Sequence, residues 1–94
     1  MDVRLSARAK DQLRLIGEYT VERFGEVQAA RYRGRLQQGF ATLSTFPSIG
    51  MASRELPRGC LGYRVAEHWV CYEVRRDEVQ IVAIVRRLSE IMDS

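Results

Sequence analysis

The sequence predicts an α+β two-layer fold of order β-α-α-β-β-β, an antiparallel helix hairpin packed on one face of a mostly antiparallel sheet. Three observations carry this. Residues 63–87 form β-branched and aromatic runs broken by short polar pairs, residues 7–23 and 27–45 each carry an apolar residue every three or four positions, and little more than Gly25 separates the two helical patterns. A link this short forces the helices antiparallel, and their apolar stripes are the natural cover for a sheet.

Asp2 to Ser6 alternates, which predicts a short first strand with Val3 and Leu5 turned inward. Ser6 then supplies a helix N-cap, its hydroxyl accepting one of the free amides of the first turn. Ala9, Leu13, Ile16, Thr20 and Phe24 give the first helix, Ala7 to Arg23, its stripe, and Gly25 ends it in the left-handed region that costs glycine little. Ala29, Tyr32, Leu36, Phe40, Leu43 and Phe46 mark the second helix, Val27 to Thr45, which Phe46-Pro47 stops. Residues 47–60 hold two prolines and two glycines and predict a loop between layers, with Leu56 in Arg54-Glu55-Leu56-Pro57-Arg58-Gly59 holding it down. The first strand joins the sheet either beside the last strand or beside the first strand of the meander; spacing does not choose.

Within residues 63–87, turns at Glu67-His68 and Arg76-Asp77 predict a three-stranded meander. Two-residue turns sort the side chains into two faces. Tyr63, Val65, Val70, Tyr72, Val74, Val79, Ile81, Ala83 and Val85 fall on one, ending in Arg87, and the helix hairpin covers it. Burial there stabilises by roughly 1.5 to 3 kcal/mol per large side chain. Arg64, Trp69, Cys71, Glu73, Gln80, Val82, Ile84 and Arg86 fall on the other. That mixture of apolar and charged groups predicts an open binding face.

Ninety-four residues make one domain. The chain holds no apolar run of about 18 residues and no basic-then-apolar leader, so a cytoplasmic protein without membrane contact is expected. Net charge is +3, and Lys10 is the one lysine among 15 basic residues. Arginine binds carboxylate or phosphate through a planar fork, but a G- and C-rich coding sequence gives the same bias, so charge alone establishes no nucleic-acid partner. Cys60 and Cys71 lack metal-ligand spacing and are expected as free thiols in a reducing compartment. Neither a metal nor a cofactor is expected.

Several short patterns together resemble the ParE branch of the RelE/ParE toxin superfamily. They are Leu5-Ser6-x-Arg8-Ala9 leading through Leu13 to Ile16-x-Glu18-Tyr19-Thr20, then Phe24-Gly25-x-x-Gln28-Ala29-x-x-Tyr32 and Phe46-Pro47-x-x-Gly50. Arg64-Val65, His68-x-Val70-x-Tyr72-x-Val74 and Ile81-x-x-Ile84 complete the set, which spans nearly the whole chain. The resemblance implies the two-layer fold read above and the toxin of a type II toxin–antitoxin pair. It also implies a ParD-like antitoxin encoded beside it, a hetero-oligomer with that antitoxin, and DNA gyrase as target, without sequence-specific nucleic-acid contact.

RNA-cutting relatives need proton transfer and cations around the scissile phosphate. Their working set resembles lysine and arginine in the middle loop and strands plus Tyr or His near the C-terminus. Here the middle loop offers Arg54 and Arg58 without lysine, and the tail after Arg87 has neither Tyr nor His. Arginine holds its proton too tightly for general acid–base work, and His68, the one imidazole, is expected as an exposed turn residue. The expected activity is therefore non-enzymatic inhibition of gyrase. The alternatives are ribosome-dependent mRNA cleavage, motivated by Arg64 and Arg86 on one face, and an inactive member that binds only its antitoxin. Arg64, Arg86, Arg87 and Leu88 are the candidate gyrase contacts, with Arg87 alternatively clamping the helix layer. Antitoxin candidates are Arg64, Trp69, Cys71, Glu73, Val82, Ile84 and Arg86 on the sheet, with Arg31 and Arg35 on the second helix. Trp69 is read either as the anchor for the antitoxin or as packing beneath the 47–59 loop.

Overall fold

The computed structural model describes residues 1–92, in the order β1 (Asp2–Leu5), α1 (Ala7–Phe24), α2 (Glu26–Thr45), β2 (Leu61–Val65), β3 (His68–Arg75) and β4 (Glu78–Val85), followed by a 3-10 helix, Leu88–Met92. The sheet order is β1-β4-β3-β2. β1 therefore lies beside the last strand, parallel to it, while the meander is antiparallel.

Local chemistry accounts for the helix ends. The Ser6 hydroxyl accepts the Ala9 amide at 3.0 Å, as an N-cap should. Gly25 has the positive φ expected of it, 87°, but with ψ at 171°. That conformation, open to glycine, lets one residue close α1, through its N–H to the Val21 carbonyl, and begin α2. Phe46, expected on the buried stripe, is instead 60% exposed, because α2 ends at Thr45 and the chain turns away.

The first hairpin closes at Ala66-Glu67, one residue earlier than the sequence suggested, because Val65 pairs with His68. Ala66 and Arg76, the first residues of the two turns, both have φ of 53°, as turns matched to the strand twist require. Moving the first turn by one residue moves the pairing by two, so the faces of β2 and β3 stay as expected.

The faces of β4 do not. Cys71 pairs with Ala83 while Tyr72 pairs with Ile81, which leaves Val82 as the extra residue of a β-bulge. Beyond it every side chain changes face. Ile84 is buried under the helices, Ala83 and Val85 turn to the far side, and Arg86 follows the parity of Ile84 rather than that of Arg64 and Trp69. Two side chains secure the bulge. The Ser6 hydroxyl donates to the Val82 carbonyl at 2.9 Å, and Gln12 Oε1 accepts the Ile84 amide at 2.7 Å.

Two apolar clusters result. Leu36, Leu43, Val70, Tyr72, Val79, Ile81 and Ile84 fill the space between sheet and hairpin. On the opposite face, expected to be open, Cys71, Ala83 and Val85 are covered by Leu56 and Cys60 of the loop and by Ile91 of the 3-10 helix. Arg8 of α1 fastens this helix, donating to the Ile91 carbonyl at 2.8 Å and the Glu90 carbonyl at 3.0 Å. The sheet is thus roofed on both sides. Among the described residues no helix is long and apolar enough to cross a membrane.

Candidate functional site

Covering both faces leaves the ends of the sheet as working surface. At one end a groove of about 790 Å³ runs between the C-terminal half of α1, the start of α2, the Ala66–His68 turn and the end of β4. α1 carries two apolar rows. Leu13 and Ile16 pack on the core, while Leu15 and Tyr19, four residues apart, open onto the groove at 49% and 48% exposure. Phe24, 61% exposed and on the other row with Thr20, lines the same groove. Arg35 and Arg86 bring cations to the same groove, with Glu67 and Glu90 as its carboxylates. An apolar surface in water beside charged groups marks a docking surface.

Tyr32 and His68 set the floor of this groove. The Tyr32 hydroxyl lies 2.6 Å from His68 Nδ1 and accepts the Glu67 amide at 3.2 Å, and the two rings meet edge to face at 5.5 Å. The hydroxyl, with one proton and two lone pairs, accepts from Glu67 and shares one further hydrogen bond with Nδ1, whose direction follows the imidazole tautomer. Burial, and then the nearby Arg86 charge, hold the His68 pKa below its ordinary value; burial pushes the Tyr32 hydroxyl up. His68 is therefore a half-buried strand residue rather than an exposed turn residue. Its pairing with Tyr32, 36 positions away, had no local signal.

A second, smaller crevice of about 500 Å³ opens beside the groove, lined by Arg64, Glu67, Arg86, Arg87 and Glu90. Arg86 pairs with Glu67 at 3.3 Å, and its backbone amide reaches Glu90 Oε2 at 3.3 Å. Arg64 is held by its Nε on the Ala66 carbonyl at 2.9 Å and by the Trp69 ring, 5.5 Å from its guanidinium carbon.

These placements sort the residues singled out in the sequence. Arg64, Arg86 and Arg87 do come together, at the sheet end rather than on one face; Leu88 turns inward against the second cluster. Trp69 is half-buried, and it meets Leu56 and Leu88 around Gly62. Cys71 and Ile84 are buried and present no surface, and burial pushes the Cys71 thiol up to about 12. Val82 is the bulged residue, and Glu73 is paired with Arg75 at 2.8 Å. Arg35 lines the groove, while Arg31 is exposed outside its lining. Leu15, Tyr19, Phe24 and Tyr32 had not been singled out as site residues, although the i, i+4 spacing of Leu15 and Tyr19 outside the main stripe was a readable sign.

The family model described as the ParE toxin of the type II toxin–antitoxin system parDE matches residues 3–90. The chain belongs to the ParE toxin family. It is thus a ParE-type toxin, the partner of an antitoxin. A solved structure described as a chromosomal ParDE TA system from P. aeruginosa has the same fold. It matches with a TM-score of 0.80 at 19% identity, over 92% of this chain and 95% of that one. No curated protein sequence matches the chain. Among the described residues no cluster of three or more His, Cys, Asp or Glu could hold a metal ion.

Proposed function

We propose that this ParE-family toxin inhibits DNA gyrase when free and is silenced by a ParD-like antitoxin seated in the groove of α1, α2 and the sheet end. The observation that carries the antitoxin seat is the exposure of Leu15, Tyr19 and Phe24 beside Arg35 and Arg86. An amphipathic segment with apolar anchors and acidic flanks fits that pattern, because burying them returns their area from water while carboxylates meet the guanidinium forks. Gyrase contact is assigned to the adjoining crevice of Arg64, Arg86 and Arg87. Arg86 lines both surfaces, so an antitoxin engaging it would compete with gyrase for the same side chain. The test is a supercoiling assay with purified, antitoxin-free chain. Inhibition that added antitoxin reverses is expected; full supercoiling at micromolar excess of toxin contradicts it.

One observation supports a second reading, ribosome-dependent mRNA cleavage: His68 and Arg86 line the same groove. Against it, His68 Nδ1 is already occupied by the Tyr32 hydroxyl, and none of the arginines can exchange a proton near neutrality. Primer extension on translated messages separates the two. Intact messages during growth arrest support gyrase inhibition, and codon-linked cuts support cleavage.

A further inference from the structure

Arg86 and Arg87, two of the arginines assigned to gyrase, form the link between β4, which ends at Val85, and the 3-10 helix, which begins at Leu88. A link of two residues takes its course from whatever holds its ends. Val85 is held in the sheet by its pairing with Trp69. The other end needs more explanation, because a 3-10 helix of five residues has poor hydrogen-bond geometry and does not keep its place unaided. Leu88 and Ile91 anchor it in the second apolar cluster. Arg8 of α1 closes its C-terminal end, where the last carbonyls have no partner within the helix. Arg8 Nη1 donates to the Ile91 carbonyl at 2.8 Å and Nη2 to the Glu90 carbonyl at 3.0 Å, across 83 and 82 positions of chain. A planar fork suits two neighbouring carbonyls, and a cation suits a helix C-terminus.

Glu90 joins this latch to the link. Its carbonyl takes the Arg8 bond, its amide donates to the Arg87 carbonyl at 3.0 Å, and its Oε2 accepts the Arg86 amide at 3.3 Å. Both residues of the link are thus bonded through their backbone to a residue that Arg8 holds. Arg8 itself lines neither the groove nor the crevice. We infer that Arg8 is a positioning residue for gyrase inhibition: acting through Glu90 and the 3-10 helix, it sets where Arg86 and Arg87 stand without touching the target. The inference rests on the gyrase reading for what those two arginines do. Without the latch the link is tied firmly only at β4, and the cost of ordering two long side chains falls on binding. The same latch covers Cys71, which shares the second cluster with Ile91 and feels the Arg8 charge. Its thiol therefore reports whether the helix is in place.

The test compares the whole wild-type chain with R8Q and R8K in the supercoiling assay, each shown to be folded by circular dichroism. R8Q should need a concentration about tenfold higher for half inhibition. R8K, which keeps the charge but lacks the fork, should fall between. Tyr72→Phe, which loses the bond to the Pro47 carbonyl and leaves the latch intact, is the stability control and should inhibit as the wild type does. Alkylation of Cys71, assigned by peptide mass mapping, should be faster in R8Q and insensitive to low urea, as local opening requires. Equal inhibition by R8Q and wild type overturns the inference and leaves the gyrase reading standing. A wild-type chain that leaves supercoiling intact overturns that reading, and the inference falls with it. An equal loss of inhibition in Tyr72→Phe overturns the inference as a plain stability effect. So does Cys71 alkylation that is no faster in R8Q, or faster only in proportion to urea, because the helix would then hold its place without Arg8.

Discussion

Two tyrosines pin connecting segments, Tyr72 of β3 the loop after α2 and Tyr32 of α2 the turn between β2 and β3, and they do it with different partners. Tyr72, fully buried, donates to the Pro47 carbonyl and accepts the Gly50 amide, both at 2.8 Å. Tyr32, only half-buried, faces His68 Nδ1 at 2.6 Å and accepts the Glu67 amide at 3.2 Å. The Tyr72 end is closed: its partners are backbone groups that never change charge, and the Met51–Gly62 bridge seals the loop beside it. The Tyr32 end is open, its partner titrates, and exposed apolar side chains and arginines surround it. Rigidity is thus invested at one end, and at the other a pinned turn is set beside surface that can meet a partner.

Substitutions at the closed end have the largest expected effects. A Cβ added at Gly50 would stand 2.5 Å from the Tyr72 hydroxyl and 3.0 Å from the Leu61 Cβ. Tyr72 has no room to retreat, so Gly50→Ala should cost about 3 kcal/mol in chemical denaturation through overpacking and a lost hydrogen bond. Tyr72→Phe keeps the ring and strands the Pro47 carbonyl and Gly50 amide, for about 2 kcal/mol by the same measurement. At the open end Tyr32→Phe should cost only about 1 kcal/mol, because water reaches the released groups. A loss as large as that of Tyr72→Phe would mean that the two ends do not differ as described.

The smallest effect concerns pH. His68 has a pKa held below its ordinary value of 6.5 by burial first and by Arg86 second, with Arg64 also lowering it and Glu67 and Glu90 raising it. The unfolded chain therefore takes up the imidazole proton before the folded chain does. Stability is present above that ordinary value and is lost as the pH falls through it towards the lower folded value. His68→Gln leaves an acceptor for Tyr32 without the titration. The wild-type chain should lose more stability than this variant between pH 7.5 and 5.5, roughly spanning the imidazole range. Parallel curves would remove His68 as the source.

Much of this architecture was legible because each helix carries its stripe and its stops in adjacent residues. Ser6 and Gly25 did what their chemistry predicts. The bulge was not legible: Ile81 to Val85 is apolar at every position, so no alternation remained to reveal that Val82 drops out of register. What fixes it are Ser6 and Gln12, some 70 residues earlier in the chain. The second roof was legible only in part: Leu56 was expected to hold the loop down and packing beneath that loop was one of two readings of Trp69, but the part played by the 3-10 helix had no signal. Leu56, Leu88 and Ile91 are scattered among polar residues, and only the closed structure brings them together over Cys71 and Val85. The arginines of the candidate site were found from their places in the meander, Arg64 and Arg86 by their expected sharing of one face and Arg87 as the next residue of the last strand. Their meeting at the sheet end depended on the bulge that sequence could not show.

The open end as the seat of the antitoxin is tested most directly by one binding measurement. Calorimetric titration of the cognate antitoxin into L15D/Y19D, both changes at half-exposed positions, should show affinity weakened by about 100-fold or more with an unchanged melting temperature. Wild-type affinity in this folded variant would contradict the account and move the antitoxin to another surface.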